Sequence, residues 1–136
     1  MILQSLKFTS NGPPCYLDRF WRVRPIIQEW NDNMRKIFVP SWVCCLDESM
    51  SLWTNKWTCP GWMCVPRKPW PFGNEYHTLC CGITTIMYVI DLVEGKDRPQ
   101  ERAHLDSYRL YPPTVALLLR MCKRLYGLGR VIILDS

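Results

Sequence analysis

The stretch WVCCLDE, residues 42–48, decides the fold of this 136-residue chain. Its apolar run from Trp42 to Leu46 is typical of a short strand that is covered on both faces of a sheet. Asp47 and Glu48 follow at the point where such a strand would end. The stretch VIILDS, residues 131–136, repeats the arrangement, because its apolar run also ends in an acid, Asp135. The sequence therefore predicts two buried strands, each followed by an aspartate.

Two more strands and a helix are predicted between these two stretches. The strands span 75–81 and 86–93 and form a hairpin. The helix begins near Pro113 and ends at Gly127. Its apolar face consists of Val115, Leu118, Leu119, Cys122, Leu125 and Tyr126. The order strand, strand, strand, helix, strand predicts an α/β fold with a mixed sheet.

The helix determines how the first and last strands pair. A helical crossover between two neighbouring strands forces them to run parallel, so the carboxyl ends of both strands lie at one edge. These strands are the most apolar, which places them at the centre of the sheet. Asp47 and Asp135 are therefore expected to lie side by side.

An amphipathic helix is predicted before the first strand. Apolar residues recur there at spacings of three and four, which favours one buried helical face. These residues are Phe20, Val23, Ile27, Trp30, Met34 and Ile37. Pro25 fits the first turn of such a helix, and Pro40 ends the segment. We predict an N-terminal helical region at 1–40 and a core domain, which contains the sheet and its crossover helix, at 41–136.

Composition limits the classes of protein that fit. The chain contains 17 Lys and Arg against 12 Asp and Glu, and the resulting net charge of +5 favours a polyanionic partner without proving one. The sequence has neither an apolar run long enough to cross a membrane nor an export signal, so we expect an intracellular protein. We therefore interpret the eight cysteines as buried thiols and not as a disulfide framework or a zinc site.

Paired carboxylates at the ends of neighbouring strands suit a divalent cation. Mg²⁺ prefers oxygen ligands and commonly binds one or two carboxylates together with substrate phosphates. Asp47 and Asp135 are accordingly the candidate metal ligands and catalytic residues. On pattern alone, the alternative is that each aspartate caps a turn or a helix.

A basic spot lies between the first two strands. Arg67 and Lys68 stand among prolines beside Trp70, which suits phosphate contact and base stacking. The alternative is an ordinary solvated loop. His77 is interpreted as a packing residue, and Asp91 as an acid that faces solvent at an edge.

Several short motifs resemble the piggyBac-type transposase family. They are LDESM at 46–50, PG at 60–61, VPRKP at 65–69, FGNEYH at 72–77 and VEGK at 93–96. VIILDS resembles the strand that carries the second catalytic aspartate of the family, and residues 20–42 resemble the region upstream of the first. The resemblance covers roughly residues 16–136.

The resemblance implies a ribonuclease H-like fold and a cut-and-paste DNA transposase. In that family three aspartates hold two Mg²⁺ ions for DNA hydrolysis and strand transfer at TTAA targets. Asp47 matches the first aspartate and Asp135 the second, whereas the third has no counterpart here. The cysteine-rich zinc module of the family is not reproduced. Residues 54–57 also lack the Gly-Arg pair that is common in the family at this point.

These observations lead to two hypotheses about function. The first is a truncated transposase domain, nuclear and DNA-bound, that is inactive alone because its third acid is missing. The second is a domesticated or decayed derivative that retains only DNA or protein binding. Under either hypothesis, the last strand would leave an exposed sheet edge, through which the chain could self-associate.

Overall fold

A computed structural model of the chain describes residues 18, 20–93, 108 and 110–134. The elements in chain order are α1 (Arg24–Ile37), β1 (Val43–Leu52), β2 (Met63–Cys64), β3 (Phe72–Cys81), β4 (Met87–Leu92), α2 (Pro113–Cys122) and β5 (Val131–Leu134). A short 3-10 turn, Lys123–Leu125, follows α2 directly. The predicted α/β class and its preceding helix are confirmed, and β2 is an additional strand.

The strands form one mixed sheet in which β1 is central. The order is β2-β3-β1-β5, and β4 also pairs with β3. β1 runs antiparallel to β3 and parallel to β5. The predicted parallel pairing is therefore confirmed. The central position predicted for the last strand is not observed, because within the described residues β5 pairs with β1 alone.

β1 is longer than its apolar run. The strand continues through polar residues to Leu52, which pairs with Gly73 of β3. β3 itself begins at Phe72, earlier than predicted. The prediction that the first strand ends at Leu46 is therefore wrong, and Asp47 lies inside a strand. The reason is that a full-length antiparallel partner satisfies the backbone hydrogen bonds of β1 even where its side chains are polar.

The hydrophobic core lies between one face of the sheet and the two helices. β1 contributes Cys44 and Leu46, which point to the same face because strand residues alternate. The other members of the cluster are Met34, Leu79, Tyr88, Met121, Cys122 and Leu125. Leu79 and Cys44 have no exposed surface at all.

α1 is attached to the outer edge of the sheet by one side chain. The Asn31 amide donates to the carbonyl of Ile90 in β4 and accepts from the Ile90 N–H, at 2.8 and 2.9 Å. Met34 then reaches the core, whereas Ile37 is 78% exposed. The predicted apolar face of α1 is therefore buried only in part, because the helix contacts β4 and extends beyond it.

Two arginines tie α2 and the 3-10 turn after it to β4 and α1. Arg120 donates to the Asp91 carboxylate, and Arg124 donates to the carbonyl of Asn31 and to the Asp32 carboxylate. The prediction that Asp91 faces solvent is wrong, since its side chain is only 18% exposed. The ion pair explains how a carboxylate can lie so close to the core.

Three further sequence predictions concern the domain boundary, the state of the cysteines and the lack of a membrane-spanning segment. The boundary at residues 40 and 41 stays a prediction, although Met34 belongs to the core that the sheet also builds. The seven cysteines in the described residues are thiols, and Cys44, Cys59, Cys81 and Cys122 are buried. No helix in the described part of the chain has the length and apolar character needed to cross a membrane.

Candidate active site

Asp47 presents its carboxylate on the open side of the central strand. It is exposed, and it lies on the face opposite to that of its neighbours Leu46 and Glu48, because the side chains of β1 alternate. Its Oδ1 accepts a hydrogen bond from the Glu48 N–H at 2.7 Å. On β3 it stands opposite Thr78, which is 4% exposed. The local fold thus fixes one carboxylate oxygen and leaves the other to solvent.

The pairing of β1 with β5 defines the surroundings of Asp47. The parallel register runs from Val43 opposite Val131 to Leu46 opposite Leu134. Leu46 directly precedes Asp47, and Leu134 directly precedes Asp135. Asp135 itself lies outside the described residues. The structure therefore places Asp47, and it brings the residue before Asp135, Leu134, into register with the residue before Asp47, Leu46.

The donor chemistry of Asp47 suits Mg²⁺. A hard cation binds carboxylate oxygens and keeps some of its waters, so it needs exposed oxygen donors and not a closed cage. The solvent-facing oxygen of Asp47 meets this requirement. A second carboxylate, which the sequence offers in Asp135, would complete the set of ligands that a protein usually contributes to such a site.

The predicted basic residues lie in the turn between β2 and β3. The turn is closed by a hydrogen bond from the Val65 N–H to the Pro71 carbonyl at 2.8 Å. Arg67 donates to a Glu48 carboxylate oxygen at 2.9 Å, and Lys68 donates through Nζ to the Glu48 carbonyl at 3.1 Å. We call residues 65–71 the basic turn. The structure thus brings Arg67 and Lys68 to the residue that follows Asp47.

Arg67 keeps most of its surface in solvent. Its side chain is 68% exposed despite the contact with Glu48. A guanidinium carries five N–H donors, so one bond to Glu48 leaves others for a further acceptor. The basic turn can therefore bind an anion without leaving its position beside β1.

A second group of potential ligands lies on the opposite face of β1 from Asp47. Donor atoms of Glu48, Glu75 and His77 all lie within 4.8 Å of one another. Burial raises the pKa of the Glu75 carboxyl, and the charge of Glu48 and a hydrogen bond to it raise that pKa further. Arg67 and Lys68 act in the other direction, since their positive charges lower the pKa. Within this group, Glu48 and Glu75 are thus a pair of acids whose charge the basic turn partly neutralises.

This second group was not predicted from the sequence. The sequence indicates only a packing role for His77, and it predicts no ligand role for Glu48. The register that joins them, with Glu48 opposite His77, depends on pairing between β1 and β3. Alternation in the stretch FGNEYH does place Glu75 and His77 on one face, which was the only local signal.

Comparison with protein families gives a match over the whole chain. The family model described as Transposase IS4 matches residues 1–136. A search of curated proteins found no match.

Comparison with solved structures gives a match to the fold. The cryo-EM structure of a piggyBac transposase synaptic complex with hairpin DNA is similar at a TM-score of 0.55 and 17% sequence identity. The alignment covers 86% of this chain and 27% of that chain. At this identity the match concerns the fold, which is part of a ribonuclease H-like domain. This chain spans about a quarter of the length of that solved chain.

Proposed function

We propose a function on the premise that this chain belongs to the Transposase IS4 family of DDE transposases: it forms part of a nuclear DNA-cleaving and strand-joining domain. In this proposal Asp47 and Asp135 hold Mg²⁺, and the basic turn contacts the DNA backbone. The complete reaction is proposed for a polypeptide that includes this chain.

The register between β1 and β5 carries the proposal. Leu46 pairs with Leu134, and an aspartate follows each of these residues. In parallel strands, residues that follow a paired position continue side by side at the same edge. Two carboxylates joined in this way form the protein share of a site for a hard divalent cation.

The proposed residues have separate roles. The Glu48 N–H orients the Asp47 carboxylate by donating to Oδ1, and the second oxygen would hold the ion. A bound Mg²⁺ supplies activation of the attacking oxygen and charge stabilisation of the leaving one. Arg67 and Lys68 position the DNA by contacting phosphates, which carry no sequence information themselves.

A titration with Mg²⁺ tests the metal site. We expect binding to the 136-residue chain by isothermal titration calorimetry and a loss of at least about tenfold in affinity for Asp47→Asn. Glu29→Gln removes an acid from α1 and serves as the control, with affinity unchanged. If Asp47→Asn binds normally and Glu48→Gln does not, the ion belongs to the group of Glu48, Glu75 and His77, and the proposed site is wrong.

Salt-dependent DNA binding tests the basic turn. Each lost phosphate contact reduces the slope of log affinity against log salt by about one. We expect Arg67→Gln to weaken binding to a labelled duplex and to reduce this slope. Arg22→Gln, at an exposed arginine before α1, should change neither. Equal effects of the two substitutions would mean that the DNA responds only to net charge.

The exposure of Arg67 also favours a second function, which is DNA binding without catalysis. Arg67 is available to phosphate whether or not a metal is bound. Under this alternative, Asp47→Asn leaves DNA affinity unchanged with and without Mg²⁺. Under the main proposal, Mg²⁺ strengthens binding of the unaltered chain and not of Asp47→Asn.

A further inference from the structure

Four cysteines face one another across β1 and β3. Cys44 stands opposite Cys81, and Cys45 stands opposite Cys80. Because strand residues alternate, the first pair points into the core and the second to the open face. Cys44 and Cys81 are 0% and 1% exposed.

The backbone pattern favours a bond between the inner pair. The Gly82 N–H donates to the Val43 carbonyl, so the next position along the ladder, Cys44 and Cys81, is a non-hydrogen-bonded pair. The Cys81 N–H points the other way, to the Ile86 carbonyl. Directly opposite residues in such pairs have Cα atoms about 4.5 Å apart, which lies within the range that disulfides accept.

Both sulfur atoms of the inner pair contact the same residue. Ser41 donates from its N–H to Cys81 Sγ at 3.4 Å, and its hydroxyl lies 3.3 Å from that sulfur. Cys44 Sγ lies 3.8 Å from the Ser41 carbonyl. Both thiols therefore contact Ser41, which lies just before β1 in the chain.

We propose that Cys44 and Cys81 form an oxidation site, in which hydrogen peroxide converts the two thiols into a cross-strand disulfide between β1 and β3. Cys81 reacts first, and Cys44 resolves the product. The site is separate from Asp47, which lies on the other face of β1.

The reaction balances in two steps. The Cys81 thiolate attacks one oxygen of peroxide, an S–O bond forms, the O–O bond breaks, and the departing hydroxide takes up the thiol proton as water. The Cys44 sulfur then attacks the oxidised Cys81 sulfur, an S–S bond forms, the S–O bond breaks, and the second hydroxide leaves as water with the Cys44 proton. Two thiols are oxidised, and one peroxide is reduced to two waters.

The environments of the two thiols agree with these roles. Hydrogen bonds with Ser41 and Thr84 lower the pKa of Cys81 to about 6, although burial acts in the opposite direction. Burial raises the pKa of Cys44 above its usual value. The thiolate is the nucleophile in this chemistry, which makes Cys81 the attacking group. Thr84 belongs to the exposed turn that directly follows β3.

Tryptic mapping identifies the bond without ambiguity. Cleavage at Lys and Arg yields a peptide of residues 37–56, which contains Cys44 and Cys45, and one of 68–96, which contains Cys80 and Cys81. In the double variant Cys45→Ala/Cys80→Ala each peptide keeps one cysteine. After one equivalent of peroxide, we expect the linked pair of peptides, lighter by two hydrogen atoms, in both this variant and the unaltered chain.

The single variants provide the opposing arms. Both single substitutions are made in the background of Cys45→Ala/Cys80→Ala. With Cys81→Ala we expect no linked peptides. With Cys44→Ala we expect a sulfenic acid at Cys81, which dimedone labels. Far-ultraviolet circular dichroism checks that each variant folds. The proposal is overturned if the double variant forms no link, whether or not the unaltered chain forms one through Cys45 and Cys80.

Discussion

Asp18, just before α1, makes the most deeply placed ion pair of the described residues. Its side chain is 2% exposed, and it accepts hydrogen bonds from the Arg24 guanidinium and from the Phe20 N–H. The Arg24 side-chain hydrogen bond holds the pKa of the Asp18 carboxyl below its ordinary value, against the effect of burial. Asp18 therefore fixes the start of α1 by a charge-assisted contact.

This contact predicts a pH-dependent stability. Because the folded pKa is lower than the unfolded value of about 3.9, the stabilisation is complete above that value and is lost as the pH falls through the folded pKa. Asp18→Asn should lower the free energy of unfolding at pH 7 by about 1.5–3 kcal/mol, the range for a hydrogen bond to a charged group. Urea unfolding at pH 7 and at pH 2 should show the difference shrinking in acid.

Asp32 provides the matched control for Asp18. Its carboxylate also pairs with arginines, Arg35 and Arg124, but its side chain is 58% exposed. Exposed pairs contribute about 0–1 kcal/mol, so Asp32→Asn should have little effect at either pH. A loss as large as that of Asp18→Asn would show that burial does not decide the strength of these pairs.

At the scale of single residues, the sequence could predict which residues suit a function better than it could predict which residues they contact. Asp47, Arg67 and Lys68 were chosen because their types suit metal and phosphate. The contact of the last two with Glu48 joins residues about 20 positions apart, and no local pattern reports it. Asp18 was not singled out, since its burial depends on the packing of Phe20 and Arg24 around it.

At the scale of the element, Gly73 controls where β1 and β3 pair. Its φ is 153°, and a Cβ there would lie 1.9 Å from the Ser51 carbonyl oxygen. Since both the clash and the backbone conformation oppose a side chain, Gly73→Ala should lower the free energy of unfolding by about 3 kcal/mol or more. Thermal or urea unfolding measures the loss.

Gly127 is the control that separates the steric clash of a Cβ from the unfavourable backbone conformation. It has a positive φ of 74°, but a Cβ there meets nothing within 4 Å. Gly127→Ala should therefore cost only the left-handed conformation, about 1–2 kcal/mol. If both substitutions cost the same, the close approach of Ser51 to Gly73 contributes nothing.

The hydrophobic pattern of the sequence located some strands and helices better than others. β5 and its parallel pairing with β1 followed from an apolar run after a helix, because a helical crossover returns the chain to the same sheet in parallel. The second half of β1 could not be found in this way, since DESMS, residues 47–51, is polar. Its strand conformation comes from β3, a partner distant in sequence, whose pairing overrides local preference.

At the scale of the whole molecule, the described sheet has a border at β5. Ile133 is 54% exposed there, and the backbone of β5 pairs only with β1 within the described residues. Strands at a border recruit other strands, whereas a lysine on them opposes such pairing. We expect the chain to self-associate in sedimentation velocity at high concentration and Ile133→Lys to shift it toward monomer.

Ile83 is the control for this prediction. It is also exposed, at 64%, but it lies in the turn after β3 and not on a border strand. Ile83→Lys adds the same charge and should leave the association unchanged. Equal effects of the two lysines would indicate general charge repulsion between molecules.

The whole-molecule prediction from sequence was correct in class and in the placement of β1 beside β5. Its expectation that both strands lie in the interior held for β1 alone. The apolar content of a strand shows that its side chains need to be buried, but it does not show which segment of the chain packs against them. The family resemblance gave the ribonuclease H-like assignment, which the solved transposase structure supports at the level of fold.

The alternation along β1 has a consequence for how relatives of this gene can diverge. One added or deleted codon between Val43 and Asp47 would turn every later side chain of the strand to the opposite face. The acid would then point toward the core, and Glu48 toward the open face. Substitution can therefore accumulate in this segment, but a change of length cannot. Insertions in related genes should fall instead between Leu52 and Met63, where no strand register has to be kept.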